Sequence, residues 1–214
     1  MSMPSHAIIP FPDFIDREAF GTYVSSMTDC EGHFSLTYTK DKRLSIPMFP
    51  QAAFVIGMRA DEIFILRTIQ SFFGCGHIYF MSPGRPQENP KVVFKISKTL
   101  DLWQIVVPHF EKYPSLAKKK EDFRIWRDGV ELIATVVSGP TSRRPGQRGG
   151  THPRWSTASR AKFDVLHKAL IEQRKFHLTE EMKALLPPPQ KKRRGKRDSG
   201  QLELFINDTA PTDQ

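Results

Sequence analysis

Between Tyr23 and Lys40 the chain reads YVSSMTDCEGHFSLTYTK, and two of these residues, Asp29 and Glu31, set carboxylates two positions apart just before Gly32. The residues ahead of them are small and apolar, as at the end of a helix. A helix C-terminus already carries partial negative charge from its unpaired carbonyls, so acids belong there only when a cation joins them. A second charged group, Lys118, Lys119 and Lys120 in SLAKKKEDF, lies far along the chain. Acids that need a cation, together with a basic run, suggest ionic chemistry on an anionic substrate.

The elements that position these groups follow from the hydrophobic period. Asp13 or Asp16 can cap a helix reaching to about Asp29, with Pro12 just ahead of it. After Gly32 the period changes to two, with Phe34, Leu36 and Tyr38 on one side and His33, Ser35, Thr37 and Thr39 on the other. KDKR makes a turn into a second strand, Leu44 to Ile56, in which Pro47 and Pro50 demand an edge or a bulge. Asp61 opens a helix with Ile63, Leu66, Ile69 and Phe73 on one stripe, stopped by GCG. His77 to Met81 and Lys91 to Ser97 form a hairpin around SPGRPQENP. Thr99 caps LDLWQIVV, which Pro108 ends; Pro114-Ser115 then starts a helix carrying Leu116, Phe123, Trp126, Val130, Ile133 and Val137.

The order is α-β-β-α-β-β-α, an α+β fold, with further helix beyond it. The expected organisation is an arm over 1–12, a core over 13–137 and a Gly/Pro/Arg linker over 138–157. A helical segment over 158–186 and a basic, disordered tail over 187–214 complete it. The 214 residues, 39% hydrophobic with 16 phenylalanines, are enough for a real core. A net charge of +9 keeps nucleic acid high among the partners. Cys30 and Cys75 make neither a disulfide framework nor a zinc spacing. No run is long enough to span a bilayer, and the N-terminus lacks a basic region ahead of an apolar one. The expectation is an intracellular protein of the cytoplasm, nucleoid or an organelle matrix, neither secreted nor membrane-bound.

VSSMTDCEG, Val24 to Gly32, resembles the nine-residue motif of the LAGLIDADG homing endonucleases, with Ser25 and Ser26 in place of Ala and Gly and Cys30 in place of a small residue. FFGCGHIYF, FKISKTLDLW and VVPHFEKYPSLAKKKEDFRIW follow in the family's order, and the resemblance covers about residues 13 to 137. Ser25, Ser26 and Cys30 offer a face small enough for a second helix to approach closely. The resemblance implies that this face is a dimer interface on a twofold axis, with the same patch on both subunits. The axis would bring two copies of Glu31 together, where like charges repel unless divalent cations bridge them, and Mg²⁺ or Mn²⁺ suits carboxylate and phosphate oxygens.

The resemblance further implies a homodimeric, metal-dependent, site-specific double-strand DNA endonuclease acting on a long pseudo-palindromic site. Glu31 would be catalytic and a metal ligand. Asp29 would be a second ligand, or a helix-end group rather than a second catalytic acid. Lys118 fits the family's assisting base, with Lys119 and Lys120 as alternatives. The sheet would lie along the major groove, with Ser35, Thr37 and Thr39 facing the bases and His33 touching a phosphate. Lys40, Arg43, Gln51, Tyr79 and Lys95 are further candidates for contacts to bases or phosphates. The competing expectation is a protein of the same fold that binds without cutting, either an intron maturase on RNA or a DNA-binding regulator.

Overall fold

A computed structural model describes residues 8–40, 48–82, 89–139, 141–142 and 152–175. Arg43, the KDKR turn and the chain from residue 176 onward lie outside the described residues. Helix α1 (Arg17–Glu31) starts where the Asp16 carboxylate accepts the amide of Ala19, satisfying one of the donors a helix leaves open at its first turn. It runs directly into β1 (Gly32–Lys40). Strand β2 (Met48–Arg59) follows, then a 3₁₀ turn (Ala60–Glu62) and α2 (Ile63–Phe73). Gly74 ends α2 at φ 67°, a left-handed conformation that glycine adopts without steric cost. The hairpin β3 (His77–Met81) and β4 (Lys91–Ile96) completes one antiparallel sheet in the order β1-β2-β4-β3.

Pro50 sits inside β2, yet the ladder from β2 to β4 begins only at Phe54. At Pro50 the strand has β1 alone beside it, through the Tyr38 pairing, so the edge requirement is met locally.

Pro108 does not end its helix. α3 (Thr99–Asp101) passes through a π turn (Leu102–Val106) into α4 (Val107–Lys112), with right-handed helical backbone at each junction. A proline lacks the N–H and crowds the carbonyl four residues back, and the wider π turn just before it accommodates both defects. The start of this helix is also corrected: Lys98 rather than Thr99 holds the cap position, and its side chain makes no capping bond. The last helix of the core starts at Lys119, not at Pro114-Ser115. α5 spans Lys119–Ser138, and Leu116, expected in its apolar stripe, is 92% exposed.

One face of the sheet carries the core. Phe34, Phe54 and Phe94 stand on neighbouring strands, fully buried, with Phe110 and Trp126 over them; the Phe34 ring centroid lies 5.0 Å from each of these last two. Burying each such ring stabilises the fold by about 1.5–3 kcal/mol. After a short ladder of β5 (Thr141–Ser142) with β6 (His152–Pro153), α6 (Thr157–Gln173) returns to pack on α5 and on β1. Phe163 and Leu170 of α6 are buried in the same core, and Tyr38 of β1 donates its hydroxyl to Asp164. No helix among the described residues is long and apolar enough to cross a membrane.

Candidate active site and nucleic-acid interface

The two acids at the end of α1 have different surroundings. Asp29 Oδ2 accepts the amides of Leu116 and Ala117 at 3.1 and 3.4 Å. These amides lead into α5, whose own cap residue, Lys118, gives no side-chain capping bond. Asp29 therefore ties down, from another helix, the loop just ahead of α5, with its charge near the positive end of the α5 dipole. This long-range tie holds 114–118 as a loop rather than the first turn of α5. The other oxygen, Asp29 Oδ1, is buried without a hydrogen-bond partner.

Glu31 has no such role. It is the last residue of α1, it is exposed, and no hydrogen bond or ion pair joins it to another described residue. Gly32 follows with its amide on the carbonyl of Thr28. A Cβ on Gly32 would lie 2.7 Å from Thr28 Cγ2 and 2.8 Å from Thr28 Cα, so only glycine permits the tight exit from helix to strand. Glu31 offers an exposed carboxylate, the hard oxygen donor a divalent cation takes, whereas Asp29 Oδ1 is buried two positions earlier on the helix. Among the described residues, no group of three His, Cys, Asp or Glu side chains could hold a metal ion.

Positive charge reaches His33, two residues after this acid. The His33 imidazole is held below its ordinary proton affinity first by desolvation, then by the charges of Arg174, Lys119 and Lys95. Those three cations come from α5, from β4 and from the residue after α6, and they converge on the start of β1. An anion such as a phosphate is the complement of this cluster. Lys118 is exposed, and its Nζ donates to the carbonyl of Lys175 at 3.2 Å. Of the lysines left open by the sequence, Lys119 is the one whose field reaches His33. Arg174 had no sequence signal at all, since it lies 140 residues from the Phe34 carbonyl it bonds.

The face of the sheet opposite the core carries most of the candidate binding residues. Across β1 and β2, His33 pairs with Val55, Ser35 with Ala53 and Thr37 with Gln51. Val55 pairs with Lys95, which pairs with His77, and Val93 pairs with Tyr79. Paired residues share a face, so His33, Ser35, Thr37, Thr39, Gln51, Lys95 and Tyr79 all stand on one surface. Lys40 ends β1 next to it, paired with Met48. The register adds Arg59 and Lys91, directly paired across β2 and β4 on this same surface. Alternation beyond Ile56 would have found Arg59 had the strand not been ended there. Arg59 also holds Asp61, Nε to Oδ1 at 2.7 Å.

The small face of α1 divides in two. Ser26 and Cys30 are exposed, together with Ala19 and Thr22 one and two turns earlier. Ser25 lies inward: it is 4% exposed, donates to the carbonyl of Tyr113 at 2.6 Å and lies 3.4 Å from His109 Nε2. A small side chain serves close packing inside a subunit as well as between subunits, and Ser25 does the former. His109 is surrounded by the rings of Phe72, Phe73, Phe110 and Tyr113, and burial pushes its pKa down to about 4. Cys30 is a free, exposed thiol.

An α+β unit whose open antiparallel sheet leads into an acidic helix end is thus on view. Residues 25–130 match the LAGLIDADG endonuclease family, and the chain belongs to that family. It is 30% identical over 112 residues to "Probable intron-encoded endonuclease 2" of Neurospora crassa, covering 52% of this chain and 24% of the relative. It is 25% identical over 138 residues to "Probable intron-encoded endonuclease 3" of the same organism, covering 59% of this chain and 25% of the relative. The chain thus spans about a quarter of the length of these curated relatives. Among solved structures, the fold is similar to the I-SmaMI LAGLIDADG homing endonuclease bound to cleaved DNA (TM-score 0.55, 20% identity, 82% of this chain and 50% of that one). It is also similar to the homing endonuclease I-TnaI (TM-score 0.52, 20% identity, 72% of this chain and 94% of that one).

Proposed function

We propose that the chain is a site-specific, divalent-metal-dependent double-strand DNA endonuclease that acts as a homodimer. The observation that carries this reading is the split between the two acids. Asp29 is taken up in bonding the loop ahead of α5, whereas Glu31 stands exposed where the cationic, open sheet begins. The likeness to half of the I-SmaMI chain and to nearly all of I-TnaI supports one chain as one half-site unit. A second copy packed on the Ala19–Thr22–Ser26–Cys30 stripe would bring its Glu31 to the same axis, giving one acid for each DNA strand.

Glu31, with Asp29 as the second ligand, would hold Mg²⁺ or Mn²⁺, which when bound lowers the pKa of water and offsets charge on the phosphate. The chain's own groups do the rest. The sheet face sets the register on the duplex through Ser35, Thr37, Thr39, Gln51 and Tyr79. Lys95, with His33 near the start of β1, orients the phosphate. Lys119, or Lys118 if freed from Lys175, stabilises the developing charge.

A DNA library of randomised sites, incubated with the protein and Mg²⁺ or EDTA and then sequenced at its ends, tests the activity. Discrete double-strand cuts that need the metal support the reading. Tight binding to structured RNA with no cuts in any DNA would replace it with a maturase. Sedimentation on DNA tests the assembly: a dimer that Ser26→Leu breaks is expected, and a wild-type monomer on its site contradicts the shared axis.

A further inference from the structure

The last described residues of the chain, just beyond α6, lie outside the stretch that matches the family, yet they reach the candidate site twice. Arg174 donates Nε to Asp122 Oδ2 at 3.1 Å and a terminal nitrogen to the carbonyl of Phe34. Phe34 is the third residue after Glu31, on β1, which is an edge strand of the sheet. The next residue, Lys175, accepts the ammonium of Lys118 on its carbonyl. One turn of chain therefore bonds both the strand that leaves the acid and Lys118.

We propose that Arg174 is a positioning residue for strand cleavage, fixing the start of β1 against α5 so that Glu31 and the 118–119 lysines keep their mutual placement. This rests on the nuclease reading. The geometry suits the task. Asp122 is 6% exposed, and among the described residues the only hydrogen bond or ion pair on its carboxylate is that of Arg174, its Oδ1 having no partner there. A planar guanidinium can bond a carboxylate and a carbonyl on two different elements at once, which an ammonium on a flexible stem does poorly. Arg174 is thus a three-way junction of α5, β1 and the chain after α6.

The test uses the full chain on the DNA site found from the library. Arg174→Ala leaves the Asp122 carboxylate buried and unpaired, so it is compared with Arg174→Ala/Asp122→Asn, which removes that charge, and with Arg174→Lys. Val165→Ser, on the exposed side of α6, is the control for disturbing that helix. The proposal predicts that the double variant melts near wild type and binds DNA in EDTA with nearly unchanged Kd. Its kcat falls at least about tenfold with KM little changed, as expected when an interaction acts in the transition state. Arg174→Lys recovers little, added guanidinium recovers part of the Arg174→Ala rate, and amide exchange at 33–35 and 116–119 quickens. A double variant that folds and cuts at the wild-type kcat overturns the proposal. So does a loss confined to KM. If the wild-type chain makes no cuts, the nuclease reading fails instead, and unchanged amide exchange in Arg174→Ala then overturns the positioning role as well.

Discussion

The two faces of the sheet are made from the same four strands, and they answer to different constraints. The helix-covered face is aromatic and closed: Phe34, Phe54, Phe94 and Ile96 leave almost no surface to solvent. The opposite face mixes hydroxyls, an amide, a phenol and cations, and the described helices leave most of it uncovered. Alternation alone produces this division, because successive side chains of a strand point to opposite sides. Stability is therefore stored on one face, and the other is free to carry recognition.

Substitutions should separate the faces sharply. Phe34→Ala should destabilise the fold by about 3–5 kcal/mol in denaturant titration, through lost transfer energy and the cavity left behind. On the open face, Thr37→Ala should stay within about 0.5 kcal/mol of wild type in the same titration. A large loss there would show that this face is structural after all.

The next effect is a pH dependence confined to the closed side. His109 is neutral and buried, with its pKa pushed down to about 4, whereas in the unfolded chain it returns to the ordinary histidine value. The unfolded state thus takes up a proton first. The contribution of His109 is complete above about pH 6.5 and is lost as pH falls toward 4, on the order of 3 kcal/mol in all. Stability measured between pH 7 and 4 should lose this slope in His109→Gln. A slope unchanged by that substitution would place its origin elsewhere.

Within the open face the comparison becomes finer. Gln51→Ala should cost about 1–3 kcal/mol of discrimination at one base position, read from a specificity profile. Lys95→Ala should weaken binding alike on all sequences and reduce the salt slope of log K by about 1. Exchanging these two signatures would exchange the two roles. At the end of α1, Asp29→Ala removes the acceptor of the 116 and 117 amides, costing about 1–2 kcal/mol by thermal unfolding.

Much of this was legible in the sequence because it rests on local rules. The cap at Asp16, the change of period at Gly32 and the αL stop at Gly74 are each decided within a few residues. The errors share a different origin. Pro108 passes through its helix because a π turn precedes it, and residues 114–118 are held out of α5 by an acid 87 positions away. Ser25 is as well suited to packing under Tyr113 as to meeting a partner helix, and composition does not distinguish the two. Arg174 entered no pattern, since its partners Phe34 and Asp122 lie 140 and 52 residues back. Contacts that cross the fold leave no period behind.

The account turns on Glu31 as the carboxylate that does the chemistry, and a direct comparison of Glu31→Gln with wild type on one cleavable DNA site tests it. In Mg²⁺ the wild type should cut both strands, while Glu31→Gln should fold, bind the same site in calcium or EDTA, and make no detectable cut. Cutting by Glu31→Gln at the wild-type rate would contradict the claim.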